Sequence, residues 1–271
     1  MSYLDLLGLK REPFSNSPDP AFFYPYMDSQ ECWQRLEISI RLRRGLNLIT
    51  GDVGVGKTTF GRLMLHKFQK QGLNFVSHLM PDPGYSTEFQ FLRSLARIFG
   101  VQPVREITSD YKNAIENYIF QKAVEEKKIV ILLIDEGQKL QPPMIEMLRT
   151  LLNFEVNEYK LLQLVIMAQL EFLDTISRQR NFCDRINFKY EFKALEFEET
   201  RKLIDYRLKR AGLEDGRRLF SEESYLLIHD FSRGLPRQII NLCHHSMISM
   251  LIKEKAQVDE DIVRYTVKSI C

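Results

Sequence analysis

Apolar residues along this chain gather in two ways. In five short stretches they run together: LNLIT (46–50), NFVSHLM (74–80), KIVILLIDE (128–136), LLQLVIMAQ (161–169) and INFKYEF (186–192). Between these, apolar positions recur every three or four residues, as on one face of a helix. Helices are predicted over 29–44, 57–70, 86–100, 110–127 and 142–154. Trp33, Leu36 and Ile40 share a face of the first, and Gly45 ends it. The 86–100 segment has a Ser/Thr start and a glycine stop. Pro142 and Pro143 fall in the first turn of their helix, where a missing N–H does no harm. Six consecutive apolar residues at 129–134 fit a parallel strand buried on both faces. INFKYEF alternates and so suits a sheet edge.

Strands alternating with helices predict an α/β fold with a parallel five-stranded sheet. After 193 the strand pattern stops. Helices are predicted at 198–211, 221–232, 236–253 and 259–270, with Ser221 and Asp259 as N-caps. The expected division is an arm at 1–27, a core at 28–193 and a helical lid at 194–271. The arm is rich in proline and aromatic residues, which predicts an ordered, extended segment rather than a disordered tail.

Composition narrows the classes. A net charge of +2 over 271 residues argues against a strongly basic nucleic-acid binder. Cys32, Cys183, Cys243 and Cys271 form no CxxC pair, so zinc and redox motifs are disfavoured and reduced cytoplasmic thiols are expected. No signal peptide is visible, and no uninterrupted apolar stretch approaches the roughly 20 residues that span a bilayer. The five histidines show no metal spacing beyond the adjacent pair His244–His245, whose side chains should diverge on a helix. RLRRG (41–45) reads as a solvated helix end.

The chemistry concentrates in a few places. GDVGVGKTT (51–59) follows a strand and opens a helix. Gly51, Gly56, Lys57 and Thr58 fit G-x-x-x-x-G-K-[ST], a loop whose backbone N–H groups face phosphate oxygens. Asp52, Val53, Gly54, Val55 and Thr59 complete this nucleotide-binding segment. Lys57 would reach the β- and γ-phosphates, and the Thr58 hydroxyl would bind Mg²⁺. Asp135 and Glu136 close a buried strand. An acid there is costly without a partner, and hydrated Mg²⁺ suits Asp135. Glu136 is then placed to activate the attacking water. In a sheet ordered 5-1-4-3-2, Gln169 ends the strand between the loop strand and the acidic strand, with its amide aimed between water and γ-phosphate. Arg185, just before the last strand, could project into a neighbouring subunit's site, with Arg178 and Arg180 as rivals. In SRGLPRQ (232–238), Gly234 and Pro236 set a turn, and Arg237 opposes the following helix dipole unless a bound triphosphate compensates.

Taken together, the chain resembles the AAA+ ATPases, and within them the general-secretion ATPases of the ExeA/GspA type. YLDLLGLKREPFSNSPDPAFFY is similar to that family's N-terminal signature, GDVGVGKTT to its Walker A motif, and ILLIDEGQKL to its Walker B motif followed by Gln138. MAQLEFLDTI, DRINFKYEFKALEFEET and GLPRQIINLC resemble the segments that imply Gln169 as sensor 1, Arg185 as finger and Arg237 as sensor 2. Ala168, Leu170, Lys189 and Ala194 depart from the family's usual residues. The resemblance implies a sheet ordered 5-1-4-3-2, an arm near the adenine, ATP and Mg²⁺ as cofactors, and self-association into a nucleotide-dependent oligomer. It also implies a secretion or pilus assembly partner. Membrane contact would come through a partner or a missing C-terminal segment, at the cytoplasmic face of the inner membrane. Two alternatives stay open: a DNA-binding ATPase of the transposition target-selection type, and a nucleotide-gated scaffold with little hydrolysis.

Overall fold

The computed structural model describes residues 3–15, 17, 19–72, 74–156 and 159–270; Cys271 and parts of the arm lie outside them. In chain order the first elements are α1 (Tyr3–Leu7), a 3-10 turn (Pro20–Phe22), α2 (Met27–Arg41), β1 (Leu46–Gly51), α3 (Lys57–Lys70) and β2 (Phe75–Met80). Next come α4 (Glu88–Phe99), α5 (Thr108–Phe120), a π-helical turn (Gln121–Glu125), β3 (Ile129–Ile134) and a 3-10 turn (Gly137–Lys139). Then follow α6 (Pro142–Leu152), β4 (Glu155–Val156), β5 (Tyr159–Lys160), β6 (Leu162–Ala168), α7 (Phe172–Ser177), α8 (Arg180–Cys183) and β7 (Ile186–Phe192). The last four helices are α9 (Phe197–Arg210), α10 (Glu222–Ser232), α11 (Pro236–Ile252) and α12 (Glu260–Ile270). The chain forms two compact units: Met27–Asp52 with Phe60–Phe192, and Met1–Tyr26 with Val53–Thr59 and Lys193–Cys271.

The first of these units is a parallel sheet flanked by helices. Its strand order, β2-β3-β6-β1-β7, is the 5-1-4-3-2 arrangement the sequence implied. The three central strands are almost wholly buried, which is why their sequences are continuous apolar runs. The polar residues among them are satisfied. Gln163 accepts from the Gly45 N–H at 2.9 Å and donates to the Lys160 carbonyl at 2.8 Å. Asn47 accepts from the Ser39 hydroxyl at 2.5 Å. β7 lies at the edge and buries Phe188 and Phe192 in alternation, as its pattern predicted. Register pairs Thr50 with Ala168 and Ile134 with Ile166, so β1, β6 and β3 finish along one edge of the sheet.

Helix 86–100 is confirmed with Thr87 capping its start and Gly100 at φ 73° its end. Arg43 corrects the reading of 41–45 as a solvated helix end. At φ 51° its guanidinium lies 4.4 Å from the Tyr159 ring centre and donates to the Ala123, Lys127 and Lys128 carbonyls at 3.3, 3.1 and 3.1 Å. Those contacts satisfy acceptors beside the π-helical turn, which sequence periodicity had not separated from α5.

The second unit packs α9–α12 with the arm. The described residues of the arm are not simply extended: α1 and the 3-10 turn interrupt them, and Asp19 caps the latter. Leu7, Leu9, Phe14 and Phe22 enter the same core as Ile204, Leu208, Phe220 and Ile239. Arg207, only 5% exposed, donates to the Pro13 carbonyl at 2.8 Å and the Ser15 carbonyl at 3.2 Å. Burial brings its pKa down to about 10, so it stays charged at neutral pH. Ser221 and Asp259 cap α10 and α12 as expected, accepting from the Ser224 and Ile262 N–H groups at 3.2 and 3.0 Å. The adjacent histidines do not diverge fully: their rings meet edge-on at 5.3 Å, and His244 also reaches Glu12 of the arm at 3.2 Å.

Candidate active site

Within the sheet unit the candidate site begins where β3 runs out. The Asp135 N–H still donates to the Met80 carbonyl at 2.9 Å, so the ladder with β2 holds one residue past the strand. The Asp135 side chain is 9% exposed, and its Oδ1 accepts from the Glu136 N–H at 3.0 Å. Among the described residues Asp135 forms no ion pair. Such a carboxylate has an uncompensated charge that a hydrated cation would balance.

Glu136 turns the chain. Its backbone sits at φ 54°, ψ 37°, a left-handed conformation costly for a residue with a Cβ. The 3-10 turn that follows presses against β6. A Cβ on Gly137 would lie 2.4 Å from Ile166 Cγ2 and 3.1 Å from the Met167 carbonyl oxygen. From this turn Gln138 reaches both ways. Its Nε2 donates to Glu136 Oε2 at 2.6 Å, and its Oε1 accepts from the Gln169 N–H at 3.1 Å. Asp135, Glu136, Gln138 and Gln169 are thus brought together, while Gly51 closes β1 on the other side of β6 and Asp52 follows it.

The phosphate-loop residues Val53–Thr59 group with the helical unit. Gly54 and Gly56 adopt φ 90° and 100°, which glycine alone tolerates readily. Lys57, Thr58 and Thr59 form the first turn of α3, and the positive end of a helix dipole favours an anion. Pro236 opens α11 and Arg237 follows it; the Arg237 N–H donates to the Gly54 carbonyl at 3.1 Å. A Cβ on Gly54 would lie 3.1 Å from Arg237 Cβ, and one on Gly56 would lie 4.0 Å from Phe23 of the arm. The loop, the arm and the start of α11 therefore meet within this unit.

Arg185 lies apart from the sheet-edge cluster. Its Nη1 donates to the Asn181 carbonyl at 2.9 Å, its other amino group to the Asn153 side chain, and its buried Nε has no partner among the described residues. Arg178 and Arg180 are on short helices rather than a loop: Arg178 caps α7 and Arg180 opens α8. Both line an open hollow of about 750 Å³ together with Arg149 and Glu146. Sequence reasoning named Gln138 only as a neighbour of the acidic pair. The signal for more was the glycine before it, which lets a short turn lie against an adjacent strand.

This is the sheet edge and loop of a known class, and the chain belongs to the AAA domain family, which it matches over residues 40–176. Within the AAA+ ATPases its likeness is to the ExeA/GspA type. It is 28% identical over 275 residues to General secretion pathway protein A of Aeromonas hydrophila, covering 99% of this chain. The chain spans 49% of that protein's length. Among solved structures it is similar to the Aeropyrum pernix ORC2 protein, with TM-score 0.70, 17% identity, and coverage of 97% of this chain and 72% of that one. Drosophila ORC bound to DNA gives TM-score 0.75 at 18% identity, covering 100% and 66%. The Thermotoga maritima RuvB branch migration motor gives 0.59 at 18%, covering 92% and 73%. At these identities the structures speak for the fold alone. No helix among the described residues is long and apolar enough to cross a membrane.

Proposed function

We propose that the chain binds ATP with Mg²⁺ and hydrolyses it, and that turnover drives assembly or insertion of a secretion or pilus-type envelope complex. The observation that carries this reading is the buried, unpaired Asp135 followed by Glu136 at the strand edge that also ends in Gln169. In this reading the loop 51–59 holds the phosphates through its N–H groups, with Lys57 on the β- and γ-phosphates. Thr58 and Asp135 hold Mg²⁺, which needs only one or two protein oxygens and otherwise keeps its waters. When bound, the ion neutralises charge on the phosphate oxygens. Glu136 orients the attacking water and takes its proton, the Gln169 amide steadies water and γ-phosphate, and Arg237 meets the triphosphate of its own chain. Arg185 acts on a neighbouring copy's nucleotide, for which it must leave Asn153 and Asn181.

The arm (1–27), core (28–193) and lid (194–271) are the proposed working parts, operating at the cytoplasmic face of the inner membrane. The secretion role is drawn from the likeness to General secretion pathway protein A along 99% of the chain. Lys57→Ala should remove ATP binding and turnover together, whereas Glu136→Gln should keep binding and lose hydrolysis. Normal turnover in the Lys57 variant would sink the assignment. Mixing Arg185→Ala with Lys57→Ala should restore some activity if the finger acts between copies. Tight DNA binding that weakens steeply with salt and stimulates turnover would replace the secretion role with a DNA-directed one.

A further inference from the structure

We infer that Gln138 is a positioning residue that ties the Glu136 carboxylate to the backbone at the end of β6. The inference rests on the hydrolytic reading of Glu136. The orientation of the Gln138 amide is fixed by its partners, since the Gln169 N–H can only donate and an ionised carboxylate can only accept. Oε1 must therefore face Gln169 and Nε2 must face Glu136, as found at 3.1 and 2.6 Å.

Three features make the bridge part of the fold rather than a chance surface contact. Glu136 is held in a left-handed conformation, which persists only where the surroundings enforce it. Gly137 leaves no room for a Cβ against Ile166, so the turn sits as close to β6 as backbone allows. Among the described residues no other side chain supplies the bond. The adjacent strand ends in Met80–Pro81, which has no side-chain donor, and Lys139 is engaged with Asp82 at 2.6 Å. Among the described residues, Gln138 is the side chain that donates to Glu136.

The consequence is directional. Gln138 occupies one oxygen of the carboxylate and leaves Oε1 to accept from a water. A displacement of the Gln169 backbone is passed through one rigid amide to the carboxylate two residues upstream of Gln138. The aim of the base then follows the strand end that the proposal sets beside the γ-phosphate.

The test uses the full chain. Gln138→Leu removes both bonds. Gln138→Met keeps the length of the side chain and removes both bonds without adding a charge. Each should lower kcat about 10- to 100-fold, the usual penalty for a misplaced reacting group, while KM and nucleotide affinity stay within about twofold. In the Glu136→Gln background, followed by single turnover, Gln138→Leu should cause no further loss, because its effect passes through Glu136. Wild-type kcat in both Gln138 variants, a loss confined to affinity, or an equal fall in both backgrounds would overturn the inference and leave the hydrolytic reading intact. Full hydrolysis by Glu136→Gln alone would instead remove that reading. Should Gln138→Leu fold poorly, the near-isosteric Gln138→Met decides.

Discussion

The turn after β3 and the turn before α11 each pass through a left-handed residue, Glu136 at φ 54° and Arg233 at φ 52°. Each then places a glycine against neighbouring chain. Gly137 faces an Ile166 methyl, and Gly234, at φ 68°, faces the Leu195 carbonyl oxygen at 2.1 Å from where a Cβ would stand. The side chains they deliver are treated differently. Glu136 is gripped by Gln138. Arg237 is exposed, and among the described residues its guanidinium makes no hydrogen bond or ion pair; only its backbone is fixed. Proton transfer acts at hydrogen-bond distance, so a base profits from being aimed in advance. A cation acts through a longer-ranged field, so fixing its backbone can suffice.

The comparison breaks first at the glycines. Gly234→Ala sets a Cβ against a backbone oxygen that cannot step aside and adds left-handed strain. A loss on the order of 3 kcal/mol in urea unfolding is expected; an unchanged midpoint would show that the helical unit does not depend on this approach. Arg237→Ala should be the reverse case. Stability should stay within about 0.5 kcal/mol, while turnover falls about 10- to 100-fold, as for loss of a charged hydrogen bond. A large stability loss would mean that the guanidinium has a structural partner after all. Gly137→Ala sets a Cβ 2.4 Å from a methyl on the branched carbon of fully buried Ile166, with the Met167 carbonyl oxygen at 3.1 Å, so about 1–3 kcal/mol of destabilisation is expected, with a larger relative fall in hydrolysis because the grip on Glu136 is displaced. Equal losses in stability and rate would erase the distinction between the two turns.

The smallest effect concerns the brace on the first turn. The hydrogen bond from Lys139, then that from the Gly84 N–H, hold the Asp82 carboxyl below the usual aspartate range. A depressed folded value means that this contribution is present above about pH 4 and is lost as pH falls through the folded pKa. The gap in thermal midpoint between wild type and Asp82→Asn should therefore close on acidification. Both groups are largely exposed, so the gap at neutral pH is small and shrinks in salt.

Why some elements were legible follows from burial. β1, β3 and β6 are covered on both faces, so nearly every position is apolar and the runs are unmistakable; β7 is covered on one face and alternates. α1 with five residues and α8 with four complete too few turns to show a period, and β4 and β5 are two residues each. The loop and the acidic pair stood out because each matches a short motif of fixed residue types and spacing. The Gln138 bridge did not, because it depends on how closely Gly137 packs on a strand some thirty residues away. The Asn153 bond to Arg185 was hidden for the same reason. Arg43 read as solvated because its acceptors lie 80 or more residues on in sequence.

Arg207 sets a schedule for the chain's own synthesis. Its acceptor at Pro13 is separated from it by 194 residues. At the usual ribosomal pace, about 10–40 s pass before the guanidinium that Pro13 awaits has even been made. Throughout that interval Leu7, Leu9 and Phe14 lack the helices that cover them, since Phe220 and its neighbours emerge later still. Among the described residues the arm is thus one of the last parts to settle, although it is made before the helices that cover it. A holding chaperone that captures short apolar stretches should meet nascent chains at residues 7–14, and release them only after α9 has left the exit tunnel.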